Sequence, residues 1–483
     1  AMILGDIFER FAQESPVTVM TQALLENALS PSTVNSLFED VAERQYTRDL
    51  LFSDVVNLMG TVVCRIRPSI NAAYKKHKEA LGVTRKAVYK KIDRVELGVS
   101  AALVRHTANA LNPVITALDG RREPWLSGYR TRIVDGSHLP GTEHRIEPLR
   151  TTRAGALPGQ ALVVFEPESG LVADVILCED GHAQERSMTE ALLTLVQPHD
   201  LWIADRNFCT TSIRFGIARR GGSFVIRQHG STLSWEAVGE RVAKGRCETG
   251  AVFEQTVRMT DDRGETLIVR RITVELDQPT RDGDRTIHLL TNLPEEDADA
   301  LTVAALYRKR WTIETAFQEL EASLHGEIDT LGYPQAALFA FCIALVSYNV
   351  LSTLKAAIRA VHGAAVADTI SGSDLAEEVA GTHRGMLIAI PKDEWVVFHD
   401  VSSEEMGQVL KRWAGAIRLD EYRKQPRGPK KPRPERQSEA EIKHVATSKL
   451  LKNQKMWPSY QIPRVGTFTR PCKGDIRYAC LDP

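Results

Sequence analysis

The spacing of apolar positions changes near residue 120. Before it, Leu and Val recur every three or four residues, the spacing of helices with one buried face, and Ser15-Pro16 and Ser30-Pro31 supply helix starts. After it the runs shorten and alternate. Residues 129–134 read as a strand ending at Asp135, and residues 161–166 and 171–178 as two more, joined by the tight turn Pro167-Glu168-Ser169-Gly170. Residues 183–196 have the pattern of an amphipathic helix. A fourth strand, 201–204, ends at Asp205, and a fifth covers 223–227. The first three strands connect closely. The later ones are separated by crossover helices, which implies parallel pairing. Residues 229–284 hold further strand-like runs (251–258 and 266–274) and turn signals such as Asp261-Asp262-Arg263-Gly264. Residues 287–293 return the chain to the first pattern, and a helical stretch carrying Glu314 follows. The most apolar segment, 336–346, is shorter than the roughly 20 residues a membrane span needs and reads as a buried core helix.

Composition adds few constraints. The 483 residues are 43% apolar and 25% charged, with a formal net charge of −1, as in an ordinary globular protein with a large core. The seven cysteines are odd in number and show no CxxC spacing, so neither a zinc site nor a disulfide framework is expected, and the compartment is read as reducing. Residues 1–6 lack the basic, apolar and cleavage regions of a signal peptide. A cytoplasmic, non-membrane protein is the expectation.

Charge is uneven along the chain. Residues 65–94 hold ten Lys/Arg against Glu79 and Asp93, a local excess of +8 that attracts phosphate however it is folded. Within it, Ala80-Leu81-Gly82-Val83-Thr84 combines a Gly-containing turn with a Thr helix cap, and Val88 and Ile92 mark the inner face of the helix that follows. The pattern resembles a helix-turn-helix, with Thr84, Arg85, Lys86, Tyr89, Lys90 and Lys91 as candidates to face DNA. A basic helix packed on the rest of the protein has the same pattern. Residues 422–436 hold seven Lys/Arg and four Pro, too much proline for helix or sheet, and read as a basic extended segment.

The carboxylates carry the candidate chemistry. Asp135 and Asp205 each close a strand, and Glu314 lies on a later helix, so the three can converge. Three carboxylates at one point repel one another unless cations sit between them. Hard cations such as Mg²⁺ take oxygen ligands and leave positions open for phosphate. Two of them about 3.5–4 Å apart clamp the attacking and leaving oxygens of an in-line phosphoryl displacement. Tyr307, Arg310, Glu314 and Glu321 are spaced so that, at ~100° per residue, they share one helix face. A solvated face with an i,i+4 Arg–Glu pair has the same spacing. Glu143, Glu179, Asp180 and His138 are read as turn and cap residues.

Tyr307-x2-Arg310-x3-Glu314, inside YRKRWTIE, resembles the Tyr-x2-Arg-x3-Glu-x6-Lys signature of the DDE transposases of bacterial insertion sequences, in the insertion sequence four family. Asp135-Gly136-Ser137 and Asp205-Arg206-Asn207-Phe208 look like that family's first and second aspartate motifs, and Leu289-Leu290-Thr291-Asn292-Leu293 fits the approach to the third. The likeness covers about residues 30–350. One position departs: the Lys of the signature is Glu321 here, which puts its phosphate contact in doubt and leaves that role to a nearby cation, Arg308 or Lys309, or to a different DNA path.

The resemblance implies an α/β protein with a ribonuclease H-like core. Its expected parts are a helical N-terminal DNA-binding domain (1–119), the catalytic domain (120–228 and 285–370), a β-rich insertion (229–284) and a mixed, mainly helical C-terminal region (371–483). The implied activity is cut-and-paste transposition, with hairpin ends and strand transfer into target DNA. The ligands would be Asp135, Asp205 and Glu314, holding two Mg²⁺ ions, with Mn²⁺ as a substitute. Tyr307 and Arg310 would lie beside the scissile phosphate, and Trp235 would stack on a flipped base. The implied partners are inverted-repeat end DNA, target DNA and a second copy of the chain. A stand-alone nuclease of the same fold and a regulator without catalysis are the alternatives.

Overall fold

The computed structural model describes residues 4–45, 47, 49–229, 234–280, 283–425 and 444–456. The first part is all helical: α1 (Asp6–Glu14), α2 (Pro16–Ala28), α3 (Pro31–Val41), α4 (Phe52–Val63), α5 (Ile70–Leu81), α6 (Arg85–Ile92) and α7 (Leu97–Ala117). Local chemistry sets several of their starts. The Ser30 hydroxyl accepts the backbone N–H of Thr33, with Pro31 in the first helical position, and Thr84 accepts that of Ala87.

The strands then begin. In chain order they are β1 (Arg130–His138), β2 (Gly155–Leu157), β3 (Gln160–Glu166), β4 (Leu171–Cys178), β5 (Asp200–Ala204), β6 (Ser223–Arg227), β7 (Glu236–Ala237), β8 (Val242–Cys247), β9 (Gly250–Thr260), β10 (Thr266–Leu276), β11 (Thr286–Thr291) and β12 (His444–Ala446). One mixed sheet has the order β4-β3-β1-β5-β6-β11-β10-β9-β7, with β8 on β9. β1 pairs antiparallel with β3 and parallel with β5, and β5 pairs parallel with β6. Residues 229–284 thus extend the central sheet through β11 and β10.

Alternation along the strands divides the sheet's two faces. Ile133, Val163, Ile203 and Val225 enter a large core shared with the N-terminal helices and with α12 (Pro334–His362). Val134, Leu162, Trp202 and Ile226 enter a smaller core under α8 (Thr189–Leu193) and α9 (Thr211–Arg219). The remaining helices are α10 (Ala300–Arg308), α11 (Thr312–Ser323), α13 (Ala364–Asp368), α14 (Gly372–Ala389), α15 (Lys392–Trp395), α16 (Ser403–Ala414) and α17 (Thr447–Met456). α12 is longer than the apolar segment suggested. At 29 residues it is long and apolar enough to cross a membrane, yet 94% of its most apolar window is buried inside the fold.

Three local expectations are corrected. The helix expected over 183–196 shrinks to a 3-10 turn, Glu185–Met188, followed by the five-residue α8. The Asp180 carboxylate accepts the N–H of His182 at 3.0 Å, a turn that competes with helix geometry. The helical stretch before Glu314 is not uniform, because a 3-10 turn at Lys309–Trp311 separates α10 from α11. The first strand runs past Asp135 to His138, since β3 continues to pair with it there. Most of the basic Pro-rich segment, from 426 onward, lies outside the described residues. On its near side Lys424 donates to the carbonyl of Asp368, and on its far side β12 pairs with β2.

Candidate active site

The register of β1 and β5 brings the two aspartates together. Val134 pairs with Ala204, so Asp135 and Asp205 follow side by side where this parallel pairing ends. Each is held locally: Asp135 Oδ1 accepts the N–H of Gly136 at 3.0 Å, and Asp205 Oδ1 accepts that of Asn207 at 2.8 Å, capping the turn that leaves the strand. Glu314 comes from the first turn of α11, and α11 packs against β1.

Arg310 stands among these carboxylates. Its Nη1 donates to Asp135 Oδ2 at 3.1 Å and its Nη2 to Glu314 Oε1 at 2.8 Å. The arginine is buried, and its Nε finds no acceptor among the described residues. Tyr307, also buried, shares a hydrogen bond with Arg310. The 3-10 turn keeps both side chains on the Glu314 side. Glu321 is exposed farther along the helix. The two cations expected to replace the missing lysine are engaged elsewhere: Arg308 pairs with Glu248, and Lys309 lies over the Trp125 ring at 5.3 Å. Arg65, exposed, reaches the backbone carbonyl of Glu321 at 3.5 Å.

Electrostatics reflect the crowding. Burial pushes Asp135 up to about 6; Arg310 opposes the rise, and the charges of Asp205 and Glu314 add to it. As the side chains lie, no three Asp, Glu, His or Cys groups among the described residues stand close enough to hold an ion. The donor set nevertheless suits a hard divalent cation. It is all carboxylate oxygen, its members feel each other's charge, and an arginine bridges two of them where a metal would otherwise neutralise them.

A fourth carboxylate adjoins the site, and the sequence reading missed it. Glu185 lies over Gly136, so closely that a Cβ there would come within 2.0 Å of Oε1. It accepts from the Asn207 side chain and feels Asp205; burial raises its pKa. The absence of a side chain at Gly136 was the available signal. A polar cavity of about 690 Å³ opens beside Asp205, between α9 and the end of β9, with Glu185, Asn207, Arg214 and Met259 in its walls.

The other candidates are dispersed. α5, a left-handed Gly82 (φ 63°) and α6 form a helix-turn-helix unit, its turn tied by the Tyr74 hydroxyl donating to the Val83 carbonyl at 2.8 Å. Thr84, Arg85, Lys86 and Lys90 are exposed and Tyr89 is half-buried, while Val88 and Ile92 point inward. Lys91 turns away from that face, its ammonium lying 4.1 Å over the Phe38 ring. One residue along a helix is ~100° of rotation, which carries Lys91 off the exposed stripe. Trp235 is half-buried against the smaller core, with the Arg271 guanidinium 4.8 Å over its ring. Trp311 is the aromatic left open beside the carboxylates, at 60% exposure.

Residues 126–350 match the family model of the transposase DDE domain. The putative transposase InsL of insertion sequence element IS186A from Escherichia coli is 26% identical over 246 residues, 41% of this chain and 59% of that protein. The transposase of insertion sequence element IS421, also from Escherichia coli, is 26% identical over 246 residues, covering 41% of this chain and 58% of its own length. The match thus spans about three fifths of these relatives. The region around the carboxylates is similar to the transposase DDE domain and to bacterial insertion-sequence transposases.

Proposed function

We propose that the protein is a cut-and-paste DNA transposase that binds the ends of its element, cleaves them by metal-dependent phosphoryl transfer with hairpin ends, and joins them to target DNA. The observation that carries this reading is the meeting of Asp135 and Glu314 on one arginine, with Asp205 beside Asp135 at the end of a parallel strand pair. The sheet order β4-β3-β1-β5-β6, with β1 antiparallel to β3 and parallel to β5, supports a ribonuclease H-like core. The Tyr307, Arg310 and Glu314 spacing supports placement in the insertion sequence four family.

Asp135, Asp205 and Glu314 would hold the ions, Mg²⁺ or Mn²⁺, which when bound lower the pKa of the attacking hydroxyl and neutralise the leaving oxygen. Asp135 is kept rigid by the strand ladder and by its own backbone contact. Asp205 is oriented by the Asn207 N–H and, through the Asn207 side chain, by Glu185. Arg310 holds Asp135 and Glu314 together in the free protein. The Arg310 guanidinium would meet a backbone phosphate of the sharply bent strand. Tyr307 steers Arg310. The exposed face of α6 supplies phosphate contacts within an N-terminal DNA-binding region, residues 1–119. Two copies acting on two ends, in the bacterial cytoplasm, complete the reading.

A strand-transfer assay with labelled element ends tests it. A transposase cuts the end and joins it to a second DNA. A stand-alone nuclease cuts without joining, and a regulator only binds; either result would replace this reading.

A further inference from the structure

Arg214 lies one turn into α9 and is 2% exposed, yet no carboxylate pairs with it among the described residues. Its Nε donates to the Thr210 carbonyl at 3.2 Å and its Nη2 reaches the Thr211 hydroxyl at only 3.5 Å. Nη1 lies against the Met259 sulfur, a weak acceptor. A buried guanidinium without an anion is strongly unfavourable. Arg310 has Asp135 and Glu314, and the partly buried Arg132 has Glu166, whereas the buried Arg359 donates, among the described residues, only to the Gly120 carbonyl and borders no such cavity.

The side chain borders the 690 Å³ cavity, whose walls also carry Arg186, Arg206 and the first turn of α9 against Glu185 and Asp262. Glu185 is already engaged by Asn207 at the carboxylate end. The remaining character is therefore cationic, and a planar fork of N–H donors suits a phosphate oxyanion. Position identifies the source of the phosphate. Arg206 and Asn207 follow Asp205 directly, so the cavity begins where the carboxylates end. Its volume is that of a small-ligand pocket and matches a nucleotide or two of single strand.

We propose that this cavity seats a backbone phosphate of a single DNA strand leaving the carboxylates, with Arg214 as the anchor. The proposal rests on the transposase reading and adds a contact that the signature motifs do not contain. The missing anion of Arg214 is supplied by the substrate.

The test compares wild type, Arg214→Met and Arg214→Lys for binding an oligothymidylate strand, its uncharged methylphosphonate counterpart and inorganic sulfate. Expected are about tenfold weaker oligothymidylate binding by Arg214→Met and a salt dependence shallower by about 0.7, the value of one single-strand phosphate contact. Arg214→Lys should keep most of the affinity. No variant should discriminate on the methylphosphonate strand. The melting temperature of free Arg214→Met should not fall below that of wild type, since an uncompensated charge is gone. Unchanged affinity and slope in Arg214→Met would overturn the proposal, as would equal losses in the Met and Lys variants, which would make the arginine a packing element. Sulfate stabilising wild type through Arg214, with oligothymidylate binding indifferent to it, would reduce the seat to a free-anion site and also overturn the proposal. Arg214-dependent strand binding by a protein that never cuts DNA with Mg²⁺ would uphold the seat and remove the transposase reading.

Discussion

At the N-terminal ends of β1 and β5, the arginines Arg105, Arg121, Arg130 and Arg132 are all paired with carboxylates. Arg130 reaches the fully buried Asp200 at 2.6 Å, Arg121 and Arg132 share Glu166, and Arg105 grips Asp174 through two bonds of 2.7 and 3.0 Å. At the other end of the same pair the balance fails twice. Asp135 and Glu314 share the single Arg310 with Asp205 beside Asp135, and Arg214 is buried with no carboxylate partner among the described residues. Both ends are polar and both border cavities, 540 Å³ at the paired end and 690 Å³ at the unpaired one. Cavity size therefore does not separate them. A chain that neutralises its own charges has built structure; a chain that leaves them uncompensated has kept binding free energy for a ligand.

The largest expected contrast is between chemistry and stability. Asp135→Ala, Asp205→Ala or Glu314→Ala should abolish Mg²⁺-dependent cutting while leaving end binding largely intact. At the paired end, Asp200→Ala should leave the folded enzyme active but lower its stability by about 3 kcal/mol, the cost of stranding a partly buried arginine. Urea unfolding and end-cleavage assays on the same preparations read both quantities. Inactive Asp200→Ala protein with a native melting curve would erase the contrast. Asp135→Asn sharpens it. Removing a charge that burial disfavours should raise free-protein stability by on the order of 1 kcal/mol at pH 7.

Arg310→Ala should slow hairpin formation by about 10²-fold and the first nick much less, because only the hairpin bends the strand. Time courses resolving nick, hairpin and excised end decide it, and equal slowing would confine Arg310 to positioning the carboxylates. Glu321→Lys should keep or raise end affinity, as judged by gel shift.

On α6 the structure divides the basic residues. Lys86→Glu with Lys90→Glu should weaken end binding and flatten its salt dependence by about one per lost phosphate contact. Lys91→Glu should instead lower the melting temperature, since its ammonium packs on Phe38. An unchanged salt slope in the double variant would show that this face meets no DNA.

The smallest effect should come from a region far from either end. His383, on α14, is buried against α2, where Gln22 Oε1 partners its Nε2 at 3.0 Å, and burial lowers its pKa to about 4. A depressed base favours the unfolded state once that state can protonate. The contribution of His383 is thus complete above about pH 6.5 and is lost as pH falls toward 4, by at most about 3 kcal/mol. His383→Gln should flatten stability between pH 6.5 and 4 without changing cutting at pH 7. An identical pH–stability curve in that variant would mean His383 has no share in it.

Much of the architecture was legible in apolar spacing. The helical first part, the run of strands and the crossovers that imply parallel β1–β5 pairing are periodic signals, each set by which face of an element is buried. The aspartates were legible because each closes an apolar run. The likeness to insertion-sequence transposases was legible because Tyr307, Arg310 and Glu314 stand at fixed intervals on one short stretch. The helix over 183–196 was misread because its amphipathic spacing is real but Asp180 turns the chain, and the contact that holds Glu185 over Gly136 comes from Asn207, in the turn after β5.

The sequence by itself determined what is local: which residues form helices and strands, which are acidic or basic, and which motif they compose. Tertiary structure alone decided which charges find partners. Lys91 and Lys90 are neighbours in sequence, yet one caps an aromatic ring and the other faces solvent. Arg132 and Arg214 are both largely buried, yet among the described residues only the first meets a carboxylate. Pairing depends on distances across the sheet between residues tens or hundreds of positions apart, and Coulomb interaction and desolvation both follow those distances rather than order along the chain.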